Sequence, residues 1–173
     1  MKKLALTDFT KYRYPSALEL SPDGRYLTFA LKEVDREGDG YRWNLWLYDL
    51  ESRESRQITR GDDQRQAVWE DNTHILYKTT ELDEAMRARG FEEEWTVYHR
   101  LNVCTGEECE AFRLPMSVSG LWKMDEGRYV FTGETHLDRP NLLELTGEAL
   151  EKELVRRQQT KGYKVLTELP LCE

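Results

Sequence analysis

The sequence predicts an all-β chain: a partial β-propeller with two complete four-stranded blades, part of a third, and one inserted surface helix. Three observations predict it. An apolar stretch, an acidic tight turn and a β-rich run recur three times along the chain. The recurrences lie 48 residues apart (Gly24 to Asn72) and 55 apart (Asn72 to Gly127), the first within and the second just above the roughly 40–50 residues of a propeller blade. The third strand of the first unit is apolar on both sides, as a sheet held between two neighbours must be.

Blade one is expected over about residues 15–60. It starts with Ala17-Leu18-Glu19-Leu20, turns at Ser21-Pro22-Asp23-Gly24 and returns as Arg25-Tyr26-Leu27-Thr28-Phe29-Ala30. Trp43 to Leu50 then leads through the polar turn Glu51–Ser55 into Arg56-Gln57-Ile58-Thr59, a hairpin by composition. Blade two is expected over about 64–115, with Ala67-Val68-Trp69, the turn Glu70-Asp71-Asn72, the run His74–Thr79, and a second hairpin from Trp95–Val103 through Thr105-Gly106-Glu107 to Glu110–Leu114. An incomplete blade three is expected over about 117–173, from Leu121-Trp122-Lys123-Met124 through Asp125-Glu126-Gly127 to Arg128-Tyr129-Val130-Phe131-Thr132. Each turn ends on Gly or Asn, which accept positive φ at least cost.

Two stretches interrupt the strand rhythm. Asp83–Glu94 is a charged excursion with one helical turn around Glu84–Ala88. Residues 146–161 form the inserted helix: Thr146 at the cap, Glu148 and Glu151 near the positive end, Arg156, Arg157 and Lys161 near the negative end, and Gly162 just beyond. Its apolar stripe is narrow (Ala149, Leu150, Leu154, Val155), so it belongs on the surface.

The faces of the third strand decide the architecture. Trp43, Leu45 and Leu47 lie on one side, Trp46, Tyr48 and Leu50 on the other. A sheet open to water on one side would alternate with polar residues; the competing two-sheet sandwich predicts that pattern.

The 25 basic and 33 acidic residues among 173 leave a net charge of −8 with no Lys/Arg stripe, which argues against nucleic-acid binding through phosphates. No apolar run reaches the roughly 18–20 residues of a spanning helix, so no membrane partner is expected. Met1-Lys2-Lys3-Leu4-Ala5-Leu6 starts like a secretion signal, but Thr7 and Asp8 interrupt it. Three cysteines, an odd number, fit a reducing compartment, and a cytoplasmic protein is expected.

The search for chemistry yields no catalytic, cofactor-binding or metal-binding residue. None of the six serines (Ser16, Ser21, Ser52, Ser55, Ser117, Ser119) has the Gly-x-Ser-x-Gly context of a nucleophile elbow. His74 and His99 fall in expected strands and His136 in a loop, with no nucleophile placed beside any of them by sequence. His99, Cys104 and Cys109 have a metal-like spacing, but His99 and Cys104 differ in strand parity and a fourth ligand is missing. Cys104 and Cys109 could face one another across the Thr105–Glu108 hairpin, where a reducing compartment would keep them as thiols.

The run Ser21-Pro22-Asp23-Gly24-Arg25-Tyr26-Leu27-Thr28-Phe29, followed by Asn44-Leu45-Trp46-Leu47-Tyr48-Asp49-Leu50 and Arg56-Gln57-Ile58-Thr59, resembles the propeller repeat of the prolyl oligopeptidase family of serine peptidases, and most of all its acylaminoacyl-peptidase-like branch. The third blade there is similarly interrupted by an Asp-Arg-Pro loop, a charged helix and a return strand, here Asp138-Arg139-Pro140, the helix, and Tyr163–Pro170. The resemblance runs from about Asp8 to the end, where Leu171-Cys172 departs from it. It implies a seven- or eight-bladed propeller that keeps large substrates from the Ser-Asp-His triad of an α/β-hydrolase domain. Ending at Glu173, the chain is expected to lack that domain, to be inactive alone, to contribute to a filter for oligopeptide substrates, and to self-associate when isolated. Glu92-Glu93-Glu94-Trp95 is similar to the acidic motif with which dipeptidyl-peptidase relatives hold a substrate's amino terminus, but a Trp before the glutamates is absent, and it is not taken as a site. The alternative is a stand-alone propeller-type module that binds peptides or proteins.

Overall fold

The structure, a computed structural model, describes residues 5–35, 38, 40–61, 63–125, 127–135 and 138–160. Among the described residues, ten antiparallel strands make three sheets in chain order. The first sheet runs β1 (Tyr14–Leu20), β2 (Tyr26–Asp35), β3 (Gly40–Asp49), β4 (Glu54–Gln57), and the second β5 (Ala67–Trp69), β6 (His74–Leu82), β7 (Glu94–Asn102), β8 (Glu108–Leu114). The third holds β9 (Ser117–Asp125) and β10 (Arg128–Glu134). Pro15 lies in β1, an edge strand, where its missing N–H costs no ladder bond.

Local chemistry closes the turns. Before β2, Asp23 Oδ1 accepts from the Ser21 hydroxyl (2.6 Å) and the Arg25 N–H (3.1 Å), the Tyr26 N–H donates to Ser21 Oγ (2.9 Å), and Gly24 takes φ +73°. The matching turn of blade three places Gly127 at φ +77°. Blade two differs: Asn72 does not adopt positive φ, because Asp71 Oδ1 closes the turn itself by accepting the N–H groups of Thr73 (2.7 Å) and His74 (2.8 Å). At the other end, Asp49 and Asn102 act alike. Asp49 Oδ1 accepts from the N–H of Glu51 (2.8 Å) and Ser52 (3.2 Å), Asn102 Oδ1 from Cys104 (2.9 Å) and Thr105 (3.1 Å). Those turns then need a left-handed residue, Arg53 (φ 62°) in one and Gly106 (φ 79°) in the other.

The sheets stack face to face. Leu45, Leu47 and Ala30 of blade one form one core with Ala67, Trp69, Ile75, Tyr77, Leu101 and Val103 of blade two. The opposite side of blade two, with Leu76 and Tyr98, meets Val118 and Leu121 of blade three, with Phe112 and Tyr129 packed alongside. Polar bonds tie the seams: the Trp69 indole N–H donates to the Glu19 carbonyl (3.2 Å), and the Val118 N–H to Thr96 Oγ1 (3.1 Å). At the second seam Glu70 accepts from Arg100 Nη2 (2.8 Å) and the Tyr129 hydroxyl (2.8 Å), while Lys123 reaches the Glu70 carbonyl. The hydrogen bond from Arg100 holds the Glu70 carboxyl below its ordinary value, and burial, then Glu70 itself, pushes the Tyr129 phenol up to about 12. Strand β5 touches both β1 and β9, so the sheets converge on their first strands.

Among the described residues, the end faces are partly open. Pairing of Leu20 with Leu27 and of Phe29 with Trp46 puts these residues together on the outer side of blade one, where Leu20 is 54% exposed. Trp122 pairs with Val130 on the outer side of blade three, and both are about half exposed (49% and 48%).

Candidate functional site

The two interruptions of the strand rhythm meet. Helix α1 (Glu84–Ala88) leaves the end of β6, and helix α2 (Gly147–Gln159) follows β10. Asp83 caps α1 by accepting the Met86 N–H (2.9 Å) and also receives the Trp95 indole N–H (3.4 Å). Thr146 occupies the cap position of α2, but its hydroxyl makes no capping bond, and Gly147 at φ +57° sets the entry instead. Met86, Leu142 and Leu154 form a small separate core, with Phe91, Leu143, Leu145 and Leu150 around it, while Val155 of the expected stripe is exposed. Lys161, Gly162 and the expected return strand Tyr163–Pro170 lie outside the described residues.

Charge fastens this annex. Arg89 grips Glu151 with two bonds (3.0 and 2.8 Å). Arg157, 17% exposed, bonds Glu93 (2.5 Å), Glu153 (3.0 Å) and the Pro140 carbonyl (2.5 Å). The hydrogen bonds from Arg156, then from Arg157, bring the Glu153 carboxyl down to about 2 against the cost of burial. The acidic run is thereby divided. Glu93 is spent on Arg157, and this pair joins Glu92, Glu94, Glu134 and Arg139 around a cleft of about 180 Å³. The lining carries four carboxylates against two guanidinium groups.

The histidines are held by neighbours that sequence did not reveal. His74 Nδ1 lies 2.9 Å from Asp71 Oδ2, and the Asn102 amide 3.2 Å from its Nε2. Burial pushes the Asp71 carboxyl up, but bonds from the Thr73 and His74 N–H groups and side chains outweigh it and bring it down to about 2. His99 Nδ1 stands 3.1 Å from Glu108 Oε1 and its Nε2 3.2 Å from the Thr79 hydroxyl; the Tyr77 hydroxyl donates to the same Glu108 oxygen (2.7 Å). Carboxylate, imidazole and hydroxyl thus form a relay. Thr79, however, sits inside the β6–β7 ladder opposite Val97, without the sharp turn that presents a nucleophile to substrate. The register is the signal that could have found this trio, since pairing Tyr77 with His99 sets Thr79 one diagonal away. His136 lies outside the described residues.

Cys104 and Cys109 are both exposed free thiols and do not oppose each other: Cys109 pairs with Arg100, while Cys104 lies in the turn with its Sγ 3.8 Å from the Tyr26 hydroxyl. Arg56, which bonds the Val103 carbonyl, lies with Tyr26 and Cys104 around a second cleft, of about 320 Å³, between blades one and two. Among the described residues, no group of three or more His, Cys, Asp or Glu is placed to hold a metal ion, and no helix is long and apolar enough to cross a membrane.

No family model and no curated protein sequence matches the chain. Solved structures do. The acylaminoacyl peptidase of Pyrococcus horikoshii matches over 76% of this chain with a TM-score of 0.55 and 15% identity. The β-propeller domain of the Trilobed protease from Pyrococcus furiosus, described as having an open velcro topology, matches over 71% with a TM-score of 0.51 and 13% identity. The chain is a partial β-propeller. The apo form of the isopeptidase AtxE2 matches the same propeller over 88% of its length, with a TM-score of 0.53 and 15% identity. The chain spans only 20%, 34% and 24% of these three in turn.

Proposed function

We infer that the chain is the N-terminal propeller segment of a cytoplasmic serine peptidase of the prolyl oligopeptidase family, acylaminoacyl-peptidase-like branch, acting on oligopeptides. Its part is architectural. The carrying observation is the stack itself: two four-stranded sheets and a hairpin in chain order, converging on β1, β5 and β9, in an arrangement shared with propellers of peptidases. Converging first strands line the axis of a propeller, where a narrow opening admits an extended peptide and rejects a folded chain.

The segment does no chemistry alone. Acyl transfer needs an activated nucleophile, a base and an oxyanion hole in one place; of the two hydroxyls beside histidines among the described residues, that of Thr73 (3.1 Å from His74 Nδ1) already donates to Asp71 in the turn, and that of Thr79 (3.2 Å from His99 Nε2) is locked in a strand. Its partners are the remaining blades, the hydrolase domain and, for the chain in isolation, further copies of itself. The gene beyond codon 173 tests the reading: an α/β-hydrolase domain with Gly-x-Ser-x-Gly supports it, while further blades and a stop would replace it with an interaction module that binds peptides or proteins. Labelling of any serine or threonine of the folded chain by a fluorophosphonate, faster than in the unfolded chain, would contradict the inactive assignment.

A further inference from the structure

We propose that His74 is a proton-operated latch on the turn between β7 and β8: when its ring gains a second proton, the imidazolium and the turn compete for the same oxygen of Asn102. The inference rests on hydrogen bonds at the turn end of blade two and stands apart from the peptidase reading.

The two turns of blade two are bound into one unit. The Val103 N–H donates to the Thr73 carbonyl (2.8 Å), and His74 pairs with Asn102 in the β6–β7 ladder. Within that unit each polar group fixes the orientation of the next. Asn102 Oδ1 accepts the N–H groups of Cys104 (2.9 Å) and Thr105 (3.1 Å), which only the oxygen of a side-chain amide can do. Its NH2 group therefore meets His74 Nε2, 3.2 Å away, and that nitrogen is the acceptor. The hydrogen of the neutral ring then sits on Nδ1, which faces the Asp71 carboxylate at 2.9 Å. In this state every member of the network is satisfied.

A second proton can bind only at Nε2, where it meets the hydrogens of the Asn102 amide. Asp71 favours the added charge, so the conflict falls on Asn102. Turning the amide offers Oδ1 to the imidazolium but sets NH2 against the N–H groups of Cys104 and Thr105. One oxygen cannot serve both. The turn so loosened carries Cys104, whose Sγ lies 3.8 Å from the Tyr26 hydroxyl in the cleft of about 320 Å³, and it follows Val103, whose carbonyl holds Arg56 of blade one.

The charged groups of the neighbouring strands and turns are committed elsewhere. The Glu70 carboxylate accepts from Arg100 and Tyr129, and Lys123 of blade three holds the Glu70 carbonyl. Asp125 pairs with Arg128, and Glu107 accepts from the Thr105 hydroxyl. Asp71 is the charged group that touches the ring.

Nuclear magnetic resonance of the nitrogen-15-labelled chain tests this across about pH 8 to 5, the range in which histidine changes charge. At the upper end the His74 ring should carry its hydrogen on Nδ1. As the ring charges, the Cys104 and Thr105 amide signals should move with the same midpoint. Their hydrogen-exchange protection, corrected for the intrinsic pH dependence, should fall roughly fivefold, the worth of one ordinary hydrogen bond. Asn102→Asp supplies a second oxygen for the imidazolium while the first keeps the turn, so in that variant both amides should retain their protection over the same range. A neutral ring with its hydrogen on Nε2, a ring that keeps one charge state throughout, or a charging ring that leaves both amides unmoved would overturn the proposal. So would an Asn102→Asp chain whose turn loosens as the wild type's does. Where that variant fails to fold, the wild-type titration decides alone.

Discussion

Blade two and blade one carry the same sequence pattern and meet different fates. In both, the central strands are apolar on each side. In blade two, Ile75 and Leu76 are successive residues facing opposite ways and neither is exposed to any extent (both 0%). In blade one, Leu45 is as fully buried, yet Leu20 on the far side stands open. What differs is the neighbour. An apolar face in a repeat fold is a statement about what should lie beside it, and its contribution to stability arrives only with that neighbour.

The largest expected effect follows from that contrast. Ile75→Ala, at the seam between blades one and two, should destabilise the chain by about 2–5 kcal/mol, whereas Leu20→Ala should cost no more than about 0.5 kcal/mol under conditions that keep the chain monomeric. Urea unfolding of both measures it, and equal losses would break the distinction between covered and open faces.

The turns offer a sharper version. Gly24→Val places a β-branched residue at φ +73° in open space, so its cost of roughly 1–2 kcal/mol is backbone strain alone. Asn72→Val, at the matching position of blade two, carries no such strain and should stay within about 0.5 kcal/mol. Thermal melts of the pair would show whether the two turns differ as described.

The annex should respond to acid before the blades do, because ion pairs rather than broad apolar faces hold it. The Glu153 carboxyl is lowered from 4.5 to about 2, so its contribution is present above pH 4.5 and is lost as the pH falls toward 2; Asp71 loses its contribution from 3.8 downward in the same way. Glu153→Gln should therefore flatten the acid limb of a helical circular-dichroism titration. At neutral pH it should cost about 1 kcal/mol, since Arg156 remains half in water.

Sequence carried the strands and much of the turn chemistry, because alternation and a Ser-Pro-Asp-Gly turn are local signals. Other features depend on distant partners. Arg157 finds Glu93 64 residues away, and joining the two interruptions into one annex needs the fold first. The left-handed Ala17, at the irregular register between Ser16 and Glu19, has no marker in the sequence, since alanine gives no hint of positive φ. The His99 trio was hidden for a related reason: its members come from three strands whose register is set by packing.

Amide hydrogen exchange read by mass spectrometry, on a chain diluted until it is monomeric, tests most directly the claim that blade two is the covered centre of an open stack. Peptides from β6 and β7 should exchange slowest, with β1 and β10 the fastest of the strands because, among the described residues, each lies at a sheet edge beside a partly open face. Protection in β1 and β10 equal to that of β6 and β7 would contradict the account.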